Sequence, residues 1–300
     1  MKHLFLINPH AGKADCSEAV TRAAEALCGE LGEPMEIRRS EAPGHLTSLA
    51  RQAGETGEET RIYACGGDGT LNETVTGLME MEQKPLLGYI PAGTVNDFAT
   101  SLHIPKTIPE AAETIIAGEP FPVDMGGFND RYFTYVAAFG AFTKVSYATP
   151  HASKQALGRA AYILEGVRSL SDIQPIHVRV TAEERTIEDD VLLGMVTNAT
   201  SVGGFKALDE GIVQMDDGRS ELVLVRAPRD IAEFNAILGS LIVRDYPPEY
   251  FHILQSRAVT LDFDAPVPWT LDGEFGGELK HVEIRNIPTP LRIMTTAKKA

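Results

Sequence analysis

Three short loops carry the residues of this chain that could do chemistry. The most informative is Gly66-Gly67-Asp68-Gly69-Thr70, which ends a short apolar run and is followed at once by a helical pattern. Glycines let a loop backbone approach a ligand closely, and the first turn of a helix offers unpaired N–H groups and the positive end of its dipole. This combination predicts a phosphate-binding corner, where Asp68 would lie beside a phosphate-bound Mg²⁺.

Two further loops of the same kind flank this corner. Asn8-Pro9-His10-Ala11-Gly12-Lys13 follows the opening strand pattern, and Pro91-Ala92-Gly93-Thr94-Val95-Asn96-Asp97 follows another apolar run. Neither is a Walker A loop, because the chain has no G-x-x-x-x-G-K-[ST] motif. Each loop leads from a strand to a helix, so all three are expected at the carboxyl edge of one parallel sheet, where α/β proteins bind ligands.

The elements that must position these loops alternate along residues 1–120. Strands are predicted near 3–8, 35–39, 60–65 and 86–90, and helices near 17–31, 44–54, 70–80 and 107–117. Such alternation predicts an α/β domain with a parallel sheet and crossover helices. The breakers clustered at Gly118-Glu119-Pro120-Phe121-Pro122 indicate a domain boundary.

From about residue 121 the pattern changes to strand-like runs punctuated by Gly, Pro, Asn and Asp. They lie near 131–137, 176–182, 191–198, 221–226, 251–263 and 282–285. This pattern predicts an antiparallel sandwich or barrel. Two helical segments interrupt it, near 154–171 and 229–243. The apolar residues of the second, including Ile231, Phe234 and Ile242, have helical spacing that favours a core-facing helix over a membrane-contact helix.

Composition narrows the function classes. The net charge of −15 and the pI of about 5.0 argue against nucleic acid as a partner and against broad adhesion to an anionic bilayer. Cys16, Cys28 and Cys65 form neither a metal nor a disulfide framework, and Cys65 is expected in the core. No apolar run approaches the roughly 20 residues of a membrane span, and the apolar stretch at the start of the chain is too short for a signal peptide. We therefore expect a cytoplasmic protein.

The order of these motifs resembles a known family. NPxxGK, GGDGTxNE and PxGTxNDFA look like the catalytic domain shared by diacylglycerol, sphingosine and ceramide kinases, and the chain length is similar to its short bacterial branch. The similarity continues at the segments Val123-Asp124, Lys154-x3-Gly158-x3-Tyr162, Gly203-Gly204-Phe205-Lys206, Asp216-Asp217-Gly218 and Leu271-Asp272-Gly273-Glu274. GGDGT also occurs in NAD kinases and, as a close variant, in phosphofructokinases, but the PAGTVNDFA and LDGE segments separate this chain from both.

The resemblance implies a fold and a division of labour. A nucleotide-binding α/β domain like that of phosphofructokinases and NAD kinases would comprise residues 1–120 and about 288–300, with a last strand at 291–294 returning to it. A mainly antiparallel β-sandwich lipid-substrate domain would comprise residues 121–287.

The resemblance also implies which residues bind ATP. They are Asn8, Pro9, His10, Ala11, Gly12, Lys13 and Ala14 in the first loop, Ser40, then Gly67, Asp68, Gly69, Thr70, Leu71, Asn72 and Glu73, and Thr94. Asp68, Asn96 and Asp97 would hold the catalytic Mg²⁺ directly or through water. Two alternatives stay open: Lys13 as a solvated lysine at a helix start, and Asp97 as a helix N-cap.

By the same resemblance, Glu274 is the general base that accepts the proton of the lipid hydroxyl, and Asp124 orients this base or the metal. A base must lie within hydrogen-bond reach of its proton, so we expect the LDGE turn to face the GGDGT loop across a cleft. From the residues alone, Asp-Gly here would predict an ordinary hairpin turn.

A second, structural Mg²⁺ site is implied at the Asp-Asp-Gly turn. Its ligands would be the carboxylate of Asp217 and the backbone carbonyls of Gln214 and Arg219, and oxygen ligands of this kind suit Mg²⁺. Arg219 is unusual at its position and places a positive charge nearby. The chain also departs from the family pattern near residues 202–209, where a further glycine and a proline are missing.

The sequence thus predicts an ATP- and Mg²⁺-dependent lipid kinase, with diacylglycerol as the expected acceptor and phosphatidic acid as the product. The alternatives are an NAD kinase or other small-molecule kinase, and a nucleotide-sensing regulator without turnover. The lipid would be reached by transient peripheral contact with a membrane, for which the cations of the segment 154–170 are candidates. A homodimer stays an open alternative.

Overall fold

The computed structural model describes residues 1–12, 14–55, 60–141 and 174–296. The chain divides into two compact units. The first comprises Met1–Met125 and Pro288–Ala300, and the second comprises Gly126–Ile287. The first unit therefore takes its residues from both ends of the chain.

Helices are concentrated in the first unit and strands in the second. The helices are α1 (Ser17–Leu31), α2 (His45–Glu55), α3 (Asp68–Met79), α4 (Asp97–Ser101), α5 (Ile108–Ala117) and α6 (Ile231–Val243). The strands are β1 (Lys2–Ile7), β2 (Met35–Arg39), β3 (Thr60–Gly66), β4 (Leu87–Pro91), β5 (Glu119–Phe128), β6 (Arg131–Phe133), β7 (Val136–Gly140), β8 (Ile176–Ala182), β9 (Arg185–Thr197), β10 (Ser201–Val202), β11 (Phe205–Lys206), β12 (Ser220–Arg226), β13 (Phe251–Ser256), β14 (Ala258–Leu271) and β15 (Glu274–Thr295).

A parallel sheet forms the centre of the first unit. Its order is β2–β1–β3–β4, and the last residues of β15 add a further parallel strand through the pair of Ile293 with Leu87. Strands β1, β3 and β4 are almost completely buried, which is typical of a sheet covered by helices on both faces. Their carboxyl ends lead directly into the three loops, as the sequence predicts.

Amphipathic helices cover this sheet. In α1 the residues Val20, Ala24, Leu27 and Cys28 are buried at helical spacing, so the helix presents one apolar stripe to the core. The helix ends where Gly32 adopts the left-handed conformation and its N–H bonds to the carbonyl of Cys28, a common C-terminal cap.

The second unit is an antiparallel β-sandwich. Its strand order is β13–β12–β9–β7–β14–β15, and the long strands β9 and β14 both pair with β7 along one part and with β8 along another. The core lies between these strands around Trp269, whose ring centroid is 4.8 Å from that of Phe139 and 5.0 Å from that of Phe128. The predicted fold class, an α/β domain followed by a mainly antiparallel sandwich, is confirmed.

Several predicted elements differ from the structure. The breakers at 118–122 belong largely to strand β5, whose prolines lie in its exposed and half-exposed first residues, where a missing N–H is tolerated. The single strand predicted at 251–263 is divided between β13 and β14. The predicted helix at 154–171 lies outside the described residues.

Helix α6 is only partly a core helix. Phe234 and Ile237 are buried against Leu192, Val225 and Phe251, which confirms the predicted core-facing side. Ile231 and Ile242 are 66% and 71% exposed, so the prediction is wrong for the residues at both ends of the helix.

Candidate active site

The three glycine-containing loops pack against one another at the carboxyl edge of the parallel sheet. A Cβ atom on Gly12 would lie 2.3 Å from the carbonyl oxygen of Ala92, and one on Gly93 would lie 2.4 Å from the Cα of Gly67. Each loop therefore needs glycine because another loop's backbone occupies the space of a side chain. The result is a continuous surface of loop backbone beside the start of α3.

Asp68 links two of these loops. Its carboxylate accepts hydrogen bonds from the backbone N–H groups of Asp97, at 3.1 Å, and Phe98, at 3.3 Å. These groups belong to the first turn of α4, whose preceding residue makes no side-chain cap. Asp68 thus caps α4 from a distance, and this answers the alternative for Asp97: it lies just inside the helix rather than at its N-cap.

Asn96 holds the third loop in shape. Its Nδ2 donates to the carbonyl of Gly93 and its Oδ1 accepts from the N–H of Gly93, both at 3.0 Å. The Tyr89 hydroxyl lies 3.4 Å from Asn96 Oδ1 and 3.3 Å from the carbonyl oxygen of Gly66. Burial raises the pKa of the Tyr89 hydroxyl, and the nearby carboxylates of Asp68 and Asp97 raise it further. The hydroxyl therefore stays protonated, as a donor between two loops must.

The hydroxyl of Thr70 provides a test of whether these residues fit a nucleotide phosphate. Thr70 lies in the first turn of α3 and is 3% exposed. Its Oγ1 is buried and has no hydrogen-bond partner among the described residues. Buried polar atoms are nearly always hydrogen-bonded. A hydroxyl without a partner in the first turn of a helix could donate to a phosphate oxygen, so Thr70 fits the phosphate group of ATP.

The other residues predicted to bind ATP fall into two groups. Pro9, His10, Gly12, Ala14, Ser40, Gly67, Gly69, Asn72 and Thr94 are at least partly exposed, while Ala11 and Leu71 are buried. Leu71 is fully buried in the core, so only its backbone could reach a ligand. Asn8 shapes its own loop, since its Oδ1 accepts from the N–H of His10. Lys13 lies outside the described residues.

Glu73 has a bracing role within the first unit. Its Oε2 accepts from the backbone N–H of Leu46 at 3.2 Å, and its carbonyl accepts from the hydroxyl of Thr47 at 2.9 Å. Both partners lie in the first turn of α2, so Glu73 fixes α3 against α2.

Glu274 lies at the tip of a tight β-hairpin in the second unit. Leu271 pairs with Glu274 across a two-residue turn, and the turn residues Asp272 and Gly273 have φ angles of 50° and 87°. Two residues with positive φ form the hairpin turn that Asp-Gly favours. Glu274 is exposed, as a carboxylate that must reach a substrate hydroxyl would be. The hairpin reading of LDGE is correct and compatible with a catalytic one.

Asp272 is a residue whose importance the sequence analysis missed. It is 5% exposed, and its carboxylate accepts from the N–H groups of Thr134, Tyr135 and Val136 and from the Thr134 hydroxyl, at 2.6–3.1 Å. The backbone N–H of Asp272 in turn donates to the carbonyl of Val136 at 2.9 Å. The only signal in the sequence was its place beside Glu274, because its partners lie far away along the chain.

Asp124 and the Asp-Asp-Gly turn are also held by hydrogen bonds. Asp124 is fully buried in β5, and its Oδ1 accepts from the N–H of Thr289 at 2.6 Å. Asp217 Oδ1 accepts from the N–H of Arg219, and the Arg219 carbonyl accepts from Asn286 Nδ2, both at 2.8 Å. The Arg219 guanidinium lies 3.5 Å from Glu183, so that carboxylate partly offsets its charge. Gln214 is exposed.

Within the part of the chain that the structure describes, no group of three or more His, Cys, Asp and Glu side chains is arranged to hold a metal ion. A nucleotide-bound Mg²⁺ needs no such cage, because it keeps several waters and binds one or two carboxylates together with the phosphates. Asp68 and Asp97 at the packed loops fit this mode.

No described helix has the length and apolarity needed to cross a bilayer.

Comparisons with known proteins agree with this arrangement. Residues 2–128 match the family model of the diacylglycerol kinase catalytic domain, and residues 136–295 match that of the YegS C-terminal NAD kinase beta sandwich-like domain. A protein named diacylglycerol kinase from Bacillus subtilis (strain 168) is 34% identical over 299 residues, covering 99% of this chain and 97% of that protein. A protein of the same name from Staphylococcus epidermidis is 33% identical over 290 residues, 93% of this chain and 90% of its own.

Solved structures show the same fold. Two crystal structures from Bacillus anthracis str. Sterne cover 98% of this chain and 96% of their own, with TM-scores of 0.81 and 0.73 at 25% and 24% sequence identity.

Proposed function

Because the chain belongs to the diacylglycerol kinase family of lipid kinases, we propose that it transfers the γ-phosphate of ATP to the free hydroxyl of diacylglycerol, giving phosphatidic acid and ADP. The observation that carries this proposal is the packed set of three loops in the first unit, where glycine backbone and a helix N-terminus meet as phosphate binding requires. The names of the relatives supply the choice of lipid.

The first unit provides the donor site in this proposal. The N–H groups at the start of α3 and the Thr70 hydroxyl donate to phosphate oxygens, while Asn96 and Tyr89 keep the loops in place. Mg²⁺ bound with ATP neutralises part of the phosphate charge, and Asp68 and Asp97 are the side chains that would hold it. The backbone of residues 8–12 and Thr94 complete the nucleotide contacts.

The second unit provides the acceptor chemistry. The Glu274 carboxylate accepts the proton of the lipid hydroxyl, whose oxygen forms a bond to the γ-phosphorus as the bond from that phosphorus to the β–γ bridging oxygen breaks. ADP leaves with that oxygen. Asp124 belongs to the first unit, and we propose that it orients the base or the metal. We also propose that the protein acts in the cytoplasm and makes transient contact with the membrane that holds the lipid.

A direct assay tests this function. Purified protein is incubated with γ-labelled ATP and one acceptor at a time: detergent-dispersed diacylglycerol, ceramide or sphingosine, or NAD. The products are separated by thin-layer chromatography. We expect labelled phosphatidic acid from diacylglycerol and far less of it with the Glu274→Gln variant. Labelling of NAD instead would support an NAD kinase, and labelling of no substrate by the wild type would support a nucleotide-sensing regulator.

We also propose that the Asp-Asp-Gly turn binds a structural Mg²⁺ through Asp217 and the carbonyls of Gln214 and Arg219. A carbonyl oxygen has two lone pairs, so the bond from Asn286 leaves Arg219 able to accept a metal. Metal that binds only the folded state stabilises it by mass action. We expect Mg²⁺ to raise the melting temperature of the wild type more than that of Asp217→Ala. Equal melting curves with and without EDTA in both proteins would show that no metal binds this turn.

A further inference from the structure

We propose that Asp272 is a positioning residue that fixes the Glu274 hairpin by fastening its turn to the start of β7. This inference rests on the proposed role of Glu274 as the base. It assigns a function to a buried carboxylate that does not itself touch the substrate.

The geometry of the turn is the first step. The hairpin loop has only two residues, both with positive φ. Glu274 follows this loop directly, so the position of its carboxylate depends on how the loop is oriented. Asp272 has a φ of 50°, which residues other than glycine, asparagine and aspartate rarely adopt. The turn therefore needs a residue that tolerates this conformation and can also be held in place.

The hydrogen bonds of Asp272 provide that hold. Three consecutive backbone N–H groups, at residues 134–136, converge on its two carboxylate oxygens, and the Thr134 hydroxyl donates to Oδ2 at 2.8 Å. Hydrogen bonds to a charged acceptor are stronger than those between neutral groups, so this set is strong for a single turn. The bond from the Asp272 N–H to the Val136 carbonyl closes the connection in both directions.

A second contact holds the outgoing strand. Arg131 Nη1 donates to the carbonyl of Gly276 at 3.1 Å, where the pairing of β14 with β15 shifts register. Glu274 thus lies between two attachments, one at Asp272 and one at Gly276. The base is exposed, yet the backbone that carries it is anchored on both sides.

Placement of this kind matters for the reaction. A general base works only within hydrogen-bond reach of its proton, and a displacement of about 1 Å can reduce a rate up to about a hundredfold. If Asp272 acts by placing Glu274, its loss should lower kcat through the base alone. Nucleotide binding should be unaffected, since the phosphate loops belong to the first unit.

The test is a double-mutant cycle of Asp272→Asn with Glu274→Ala, measured as kcat on diacylglycerol, KM for ATP and melting temperature. We expect Asp272→Asn to lower kcat on the order of tenfold to a hundredfold with an unchanged KM for ATP. It should cause no further loss in the Glu274→Ala background, because groups that act as a unit are not additive. Losses that multiply in the double variant, or full activity of Asp272→Asn, would overturn the inference.

Two comparisons separate this result from simple destabilisation. Asp189→Asn removes another carboxylate of the second unit, bonded to Arg226 and His252 at 2.8 Å, and should lower the melting temperature while kcat is unchanged. If Asp272→Asn does not fold, Thr134→Val removes only the hydroxyl donor and should give a smaller kcat loss of the same pattern. Full activity of Thr134→Val in that case would count against the anchor.

Hydrogen exchange makes the outcome independent of the assigned substrate. Amides of residues 270–277 should exchange faster in Asp272→Asn than in the wild type and should be unchanged in Asp189→Asn. Unchanged exchange in Asp272→Asn would contradict the anchor whatever the activity. An active Glu274→Ala would instead show that the proposed base is wrong, even where exchange confirms the anchor.

Discussion

Single carboxylates in this protein do different work depending on what surrounds them. Asp68 bonds two helix N–H groups, Glu73 bonds one, and Asp272 accepts from a whole turn of backbone. Only Glu274 among the predicted catalytic carboxylates is exposed at the tip of an element. The residue type alone therefore does not distinguish a chemical role from a bracing role, and the partners do.

The Asp68→Asn variant separates these roles at one position. The amide oxygen still accepts from the first turn of α4, so we expect a stability loss of no more than about 1 kcal/mol. If the three loops bind the phosphates as proposed, the variant loses the negative charge beside them, so kcat should fall to background. The matched control is Asp230→Asn, since Asp230 also accepts from two helix N–H groups, those of Ala232 and Glu233. The control should retain full activity, and an active Asp68→Asn enzyme would refute the donor-site assignment.

At the scale of elements, the space around a glycine shows whether its position requires glycine. Glycines in the packed loops have no room for a side chain, whereas a glycine on a helix surface does. Gly93 lies against Gly67, whereas Gly29 in α1 has no neighbouring atom within 4 Å of an added Cβ. Gly29→Ala should stabilise the protein by about 0.5–1 kcal/mol and leave ATP binding unchanged. Gly93→Ala should destabilise it and weaken ATP binding. Denaturant unfolding and nucleotide titration measure both, and equal ATP affinity in the two variants would contradict close loop packing as a requirement.

The pairing of β14 with β15 predicts a dependence of stability on pH. His281 faces Asp262 in register, with Nδ1 2.7 Å from Oδ1. The hydrogen bond with Asp262, and then that with Glu283, raises the pKa of His281 above its usual 6.5. A raised pKa means that the stabilisation is fully present below about pH 6.5 and is lost as pH rises through the folded-state value.

The variant His281→Gln should therefore be less stable than the wild type at about pH 6 and closer to it at about pH 8. Urea unfolding at both pH values measures the difference, and an NMR titration of the His281 ring checks the direction of its pKa. The same stability difference at both pH values would mean that the charge of His281 does not contribute.

Local pattern predicted most elements of the first unit because its strands and helices alternate and end at glycine loops. It failed where a strand violates local preference. Strand β15 continues through Pro288 and Pro290 to Thr295, although the pattern predicted only a short strand at 282–285 and the family resemblance implied a separate last strand at 291–294. The exposed or half-exposed position of those prolines lets the strand tolerate the missing N–H groups. Spacing along one chain does not reveal which positions face solvent.

The local motifs of the candidate site could be predicted from the sequence, but its long-range hydrogen bonds could not. The three loops are local motifs, and the sequence predicts their meeting at one sheet edge. The anchoring of Asp272 joins residues separated by 138 positions, and the capping of α4 by Asp68 joins residues separated by 29. Such long-range hydrogen bonds depend on tertiary structure, so they carry no periodic signal in the sequence.

At the scale of the whole molecule, the first unit is completed only by the end of the chain. Leu291, Ile293 and Met294 are buried, Ile293 pairs with Leu87 of β4, and the Thr295 hydroxyl donates to the Leu102 carbonyl at 3.2 Å. The parallel sheet that carries the three loops is therefore completed by residues 291–295. A folding intermediate without this strand would leave the exposed edge of β4 unpaired.

Ile293→Ala tests this dependence. Removing a fully buried isoleucine side chain should cost about 2–5 kcal/mol, and the loss should appear as faster hydrogen exchange in β4 and weaker ATP binding, with exchange in β12 unchanged. The control is Ile242→Ala, because Ile242 is 71% exposed on α6 and its truncation should change stability by less than about 0.5 kcal/mol. If Ile293→Ala instead speeds exchange in β12 but not in β4, or leaves ATP affinity at the wild-type value despite the lost stability, then the last strand does not support the nucleotide loops.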